Sequence, residues 1–86
     1  MRNVYKIFFK EPLRSEPRGF LVEGLAPIPA ETITNFDPEN NCITVGRGVT
    51  LKSGGDNIWI MSSDRHRRLR VFVPKNKIAK IELKFE

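Results

Sequence analysis

The side chains best suited to bind a ligand are basic and lie towards the C-terminal end of the chain. Residues 65–84 hold eight Lys and Arg but only one acid, Glu82. A guanidinium group binds phosphate oxygens through paired hydrogen bonds, and a lysine adds a compact positive charge. An aromatic ring among such residues can stack on an unpaired base, and the aromatic residues expected on outer faces are Trp59, Phe72 and Phe8. The candidate binding residues are Arg47, Trp59, Arg65, Arg67, Arg68, Arg70, Lys75 and Lys77.

The distribution of charge favours a polyanionic ligand. The chain has 86 residues and a formal net charge of +5. Residues 1–43 carry five basic and six acidic side chains, whereas residues 44–86 carry ten basic and four acidic. Such an asymmetry is typical of proteins that attract nucleic acid, although alternating lysines also keep exposed strands soluble. We therefore expect a module that binds RNA or DNA through a basic C-terminal surface.

The residues needed for catalysis or metal binding are few. His66 lies among arginines, which disfavour its charged form, and only Asp64 is close enough in sequence to orient it. Cys42 has no base nearby in sequence, so we expect a small packed residue rather than a nucleophile. One cysteine and one histidine do not make a zinc site. The sequence predicts a protein that is not an enzyme and that uses no metal or cofactor.

The elements that must position these side chains have a hydrophobic period of two, which is typical of β-strands. We expect three sets of alternating residues to face the core: Tyr5, Ile7 and Phe9; Leu69, Val71 and Val73; and Ala79, Ile81, Leu83 and Phe85. Residues 31–52 form a predicted hairpin that turns at 37–41, because Asn tolerates left-handed backbone. Gly46 and Gly48 interrupt its second strand and indicate a bend, with Arg47 held between them.

Strand pairing near the C-terminus places Trp59 beside an arginine. If residues 57–61 pair with 68–73 so that Ile60 faces Leu69, four aliphatic side chains share one face. Trp59 then faces Arg70 on the other side. A slip of one residue would bring arginines to the buried face, so this parity is preferred.

The predicted fold is one small all-β domain over residues 1–86. We expect a strongly bent sheet or open barrel of about five to seven strands. At most one short helical turn is expected, at 74–78, where a proline can open it. The order of strand, single turn and strand is similar to that of SH3-like and Sm-like small barrels, a likeness of fold that implies no particular function.

A second interpretation is a protein-interaction module. Residues 20–22 and 58–61 are apolar on both faces, and a surplus apolar face implies a protein partner or a second copy of the chain. Such a module would be a subunit of a complex or particle, or a small regulator or inhibitor, of the kind viruses encode, that docks on a larger protein. No apolar run approaches the roughly 20 residues of a membrane helix, so we expect a cytoplasmic protein with no membrane partner.

Overall fold

The structure is a computed structural model that describes residues 3–17, 19–21, 28–46, 48–62 and 70–85. Within these residues the period-two pattern forms ten strands and two 3₁₀ turns. The strands are β1 (Asn3–Phe9), β2 (Arg14–Glu16), β3 (Gly19–Leu21), β4 (Ile28–Pro29), β5 (Ile33–Asp37), β6 (Cys42–Val45), β7 (Val49–Gly54), β8 (Asn57–Ser62), β9 (Arg70–Pro74) and β10 (Ile78–Phe85). The all-β prediction is confirmed. The strands outnumber those predicted because β2, β3 and β4 have only three, three and two residues.

The strands form three antiparallel sheets around one core. The first sheet has the order β10-β1-β6-β5, the second β2-β3-β4 and the third β7-β8-β9. In the first sheet Ile7 of β1 lies between Ile43 of β6 and Ile81 of β10. Ile7 and Ile43 are fully buried. The core also takes Ile28, Ile60 and Val73 from the other two sheets.

The predicted bend lies between β6 and β7, which belong to different sheets. Gly46 is buried there, and its N–H donates to the Thr32 carbonyl oxygen at 3.0 Å. A Cβ added at Gly46 would overlap Thr34 Cγ2, so a larger residue here would require the Thr34 side chain to shift. Gly48 has a positive φ of 73°. Arg47 lies outside the described residues.

The register of β8 and β9 differs by two residues from the one predicted. Ile60 faces Val71 instead of Leu69, and Ile58 faces Val73. A shift of two residues keeps every side chain on the same face, so the hydrophobic pattern cannot detect it. Leu69 lies outside the described residues.

A 3₁₀ turn at Lys75–Lys77 joins β9 to β10, as predicted. A second turn, at Ala30–Thr32, was not predicted. Both follow a proline with extended backbone, Pro74 (φ −58°) and Pro29 (φ −59°). Pro29 was therefore the sequence signal for the second turn.

The prediction that Ala79, Ile81, Leu83 and Phe85 are buried was wrong, since all four are exposed and the buried apolar residue of β10 is Ile78. Ile81, Leu83 and Phe85 have relative exposures of 37%, 49% and 63%. Leu83 faces Tyr5 on β1, so the predicted parity holds although burial does not. The physical reason is position, because among the described strands β10 ends the sheet and pairs only with β1. We call Ile81, Leu83 and Phe85 the apolar face of β10.

Asn41 joins the turn between β5 and β6 to the chain that follows β1. Its backbone is left-handed, with φ 52°, as its residue type predicts. Its side-chain oxygen accepts a hydrogen bond from Leu13 N–H at 2.9 Å, and its amide donates to the carbonyl oxygens of Phe9, at 3.0 Å, and of Glu11. Its own carbonyl oxygen accepts from Phe9 N–H at 3.0 Å. One side chain thus holds three backbone groups of another segment.

Substitutions at Asn41 separate these hydrogen bonds from the backbone conformation. Asn41→Gly tolerates the left-handed φ but loses the side chain, so we expect it to lower the free energy of unfolding by about 1–3 kcal/mol. Asn41→Ala adds backbone strain and should cost about 1 kcal/mol more. Urea denaturation measures both. Asn40→Ala, which removes an exposed hydrogen bond to Asp37, should change stability little. A wild-type stability for Asn41→Gly would contradict the assigned role.

Candidate functional site

The outer face of the β7-β8-β9 sheet carries the aromatic and basic side chains. Ile60 of β8 is fully buried, so its neighbour Trp59 must lie on the opposite face. Trp59 is flanked by Lys52 on β7 and by Phe72 on β9, its direct cross-strand partners. Three adjacent strands therefore place Lys52, Trp59 and Phe72 in one row across the outer face.

The two aromatic rings contact each other. Their centroids lie 5.2 Å apart with an interplanar angle of 54°. Phe72 is 46% exposed, whereas Trp59 is half-buried. A Cβ added at Gly54 would lie 3.2 Å from the indole Nε1, so glycine leaves this edge of the indole uncrowded. The pair presents an accessible aromatic surface that does not belong to the core.

Arg70 completes the cluster. Its guanidinium carbon lies 4.7 Å from the centroid of the Trp59 ring, within the range of a cation–π contact. Its cross-strand partner is Met61, so it reaches the indole diagonally. The prediction that Trp59 lies beside Arg70 is confirmed, although the register is not. We call Lys52, Trp59, Arg70 and Phe72 the Trp59 platform.

The positive charges of the Trp59 platform are not neutralised within the described part of the chain. The ion pairs found there are Arg14–Glu16, Lys77–Glu11 and Lys80–Glu82. Neither Lys52 nor Arg70 takes part in one, and both are exposed. Among the described residues, no carboxylate lies within ion-pair distance of these two cations.

Two other candidate lysines lie in the 3₁₀ turn after β9. Lys75 is exposed, and its N–H donates to the Asp56 carbonyl oxygen at 2.7 Å, which places it at the β7–β8 end of the third sheet. Lys77 Nζ lies 2.7 Å from Glu11 Oε1, so its charge is matched by a carboxylate of the same molecule. Lys75 is the freer of the two. The remaining candidates lie outside the described residues: Arg47, Arg65, Arg67 and Arg68, together with His66.

Lys52 was not among the sequence-based candidates, and Phe72 was expected only as an aromatic residue on an outer face. Both alternate with apolar residues along their strands, which indicates an outer face. The missing information was the register, since only strand pairing shows that they flank Trp59. The other aromatic residue predicted on an outer face, Phe8, lies on the first sheet, where Lys80 Nζ is 4.6 Å from its ring centroid.

Cys42 is a packed residue, as the sequence predicted. It is 3% exposed, and its thiol lies 3.7 Å from the Ile43 carbonyl oxygen. Burial raises the pKa of this thiol above its usual value. Among the described residues, no group of three His, Cys, Asp or Glu side chains could hold a metal ion.

The buried thiol gives a pH dependence that can be measured. Native Cys42 should react slowly with a disulfide reagent at pH 8, and rapidly in denaturant. Because the unfolded chain loses the thiol proton first, the free energy of unfolding should fall as pH rises past the usual thiol pKa of about 8.5. Cys42→Ala, compared by urea denaturation over the same pH range, should lack this component. Fast labelling of the folded protein would contradict the assigned burial.

Comparisons with known proteins assign the chain to no family. The chain matches no protein-family model, and searches of curated proteins and of solved structures returned no significant match. None of the helical turns in the described segments is long and apolar enough to cross a membrane. The case for a function therefore depends on the geometry of the chain itself.

Proposed function

We propose that this protein is a non-catalytic module that binds single-stranded RNA or DNA on the Trp59 platform. The observation that carries the proposal is the contact of an accessible aromatic pair with a cation that has no carboxylate partner among the described residues. Bases of any identity can stack on aromatic rings, and phosphates bind guanidinium groups. The platform supplies both groups on one face.

Trp59 lies on β8 between β7 and β9, and each of these neighbouring strands contributes one cation that could contact the nucleic-acid backbone. Phe72 exposes almost half of its surface, so a base can reach its ring without rearrangement of the core. Arg70 already lies over the indole and would contact a phosphate beside a base stacked on the Phe72 side. Lys52 is placed for the next phosphate on the opposite side of Trp59. Stacking of this kind contributes about 1–3 kcal/mol per base.

The charge distribution supports the same ligand. Residues 44–86 hold ten of the fifteen basic side chains, and the third sheet lies within this half. Six arginines lie outside the described residues, and four of them, Arg47, Arg65, Arg67 and Arg68, belong to segments that adjoin β7, β8 and β9 in sequence. This positive charge attracts a polyanion and raises the rate of encounter with it. The attraction weakens as the salt concentration rises.

The apolar face of β10 favours a second function, that of a protein-interaction module. Its three exposed side chains offer no phosphate contact and would pack on an apolar partner. The partner in this alternative is a larger protein on which the chain docks as a subunit or as a small regulator. The two functions use different sheets, so separate variants can test them.

Oligonucleotide titration tests the Trp59 platform. The chain has a single tryptophan, so base stacking should quench its fluorescence. Phe72→Ala, followed by anisotropy of a labelled oligonucleotide, should weaken binding by about 5- to 150-fold, which corresponds to the loss of one stacked base. Arg70→Glu should weaken binding at least as much. Affinity should fall linearly with salt on logarithmic axes.

A matched control separates the platform from net charge. Arg14→Glu makes the same charge change on β2, which belongs to another sheet and is exposed. It should weaken binding much less than Arg70→Glu does. Equal losses of oligonucleotide affinity in the two variants would show that binding depends on net charge and not on the Trp59 platform. Absence of any oligonucleotide binding by the wild-type protein at low salt would overturn the proposal.

A further inference from the structure

The outer edge of β10 is an unpaired strand edge that carries apolar side chains. β10 ends the first sheet, with β1 on its inner side and no strand of the described residues on its outer side. An open edge offers backbone N–H and C=O groups to any chain that can align with it. Soluble proteins usually protect such edges, yet three exposed side chains of this one are large and apolar. These features indicate that the edge has a partner.

The charges of β10 identify the partner as another copy of the same strand. Lys80, Glu82 and Lys84 alternate with the apolar face. If two copies pair antiparallel about Leu83, Leu83 faces its own counterpart and Ile81 faces Phe85 of the other copy. On the opposite side of the sheet, Glu82 of each copy then faces Lys84 of the other. Apolar side chains thus meet apolar ones, and opposite charges meet.

Other antiparallel registers lack this match. Pairing about Glu82 would place the two glutamates opposite each other and Lys80 opposite Lys84, which is repulsive. A one-residue shift would place charged side chains opposite apolar ones. Pairing about Ile81 would leave Phe85 opposite Lys77, which lies in the 3₁₀ turn and is already paired with Glu11. The register about Leu83 is therefore the self-complementary one.

The neighbouring strand supports the same charge order. Glu82 faces Lys6 of β1, and its carboxylate lies 3.5 Å from Lys80 Nζ. Lys84 faces the buried Val4 and has no carboxylate partner among the described residues. Addition of the second copy would therefore extend a row of alternating charge, Lys6–Glu82–Lys84, across the new strand pair. It would also join two four-stranded sheets about a twofold axis.

We propose that β10 binds a second copy of this chain by antiparallel strand addition centred on Leu83. The resulting dimer is isologous, because the same strand contributes to both sides. The Trp59 platform lies on a different sheet and is not needed for this contact. Dimer formation and nucleic-acid binding can therefore succeed or fail independently.

Disulfide trapping tests the register. Directly opposed residues have Cβ atoms close enough for a disulfide, so Leu83→Cys should form a covalent dimer under mild oxidation. Ile81→Cys is the matched control: its counterpart faces Phe85, so it should cross-link far less. Cys42 is buried and should not interfere. Cross-linking of Ile81→Cys as efficient as that of Leu83→Cys would overturn the register.

Sedimentation of charge variants tests the association itself. The wild-type mass should rise with concentration from 9.9 kDa towards twice that value. Lys84→Glu and Glu82→Lys should each remain monomeric, because like charges then face each other. A mixture of these two variants should associate, since every facing pair again has opposite signs. A monomeric wild type at all soluble concentrations, or a mixture that stays monomeric, would overturn the proposal.

Discussion

One core serves three sheets, because a chain of 86 residues cannot provide a separate core for each. A protein of this size buries little more than about 60% of the surface that its unfolded chain exposes. Ile7, Ile28 and Ile60 come from the three different sheets and are all almost completely buried. Each sheet therefore packs one face against the shared core, and its other face or its edge remains exposed to solvent. This limit on burial decides where large side chains become available to partners.

The two exposed surfaces arise from this limit in different ways. In the third sheet, alternation sends Ile60 inwards and Trp59 outwards, so the indole is exposed to contacts with Phe72 and Arg70. In the first sheet, Leu83 lies on the side of Tyr5 and Ile7, yet the core does not extend beneath it. The platform is thus an outer face with aromatic residues, whereas the apolar face of β10 is an inner face that the molecule leaves uncovered.

The sequence predicts well which side of a sheet each residue faces, but it predicts poorly whether that side is buried. Alternation correctly predicts that Ile81 is on the side of Ile7, but burial also requires a layer above, and a one-dimensional pattern contains no measure of that layer. The same limit explains the β8–β9 register. Moving Ile60 from Leu69 to Val71 preserves every face, so only the whole fold distinguishes the two pairings.

Local chemistry was more informative than long-range pattern. The left-handed Asn41, the turn after Pro74 and the positive φ of Gly48 at the bend follow from residue type, because each depends on backbone preferences of a few residues. The candidate site was predictable in part, since Trp59 and Arg70 were expected to meet. The contribution of Lys52 depends on the β7–β8 register, which the two-residue turn at Gly55 and Asp56 sets.

The pairing of β1 with β10 has a consequence for biosynthesis. Asn3 lies opposite Phe85, so β1 acquires its outer neighbour only after β2 to β9 have been synthesised. Contacts between such distant parts of a chain form slowly, and unpaired strands are prone to aggregate meanwhile. The nascent chain must therefore keep the apolar residues of β1 from other polypeptides until β10 has been synthesised.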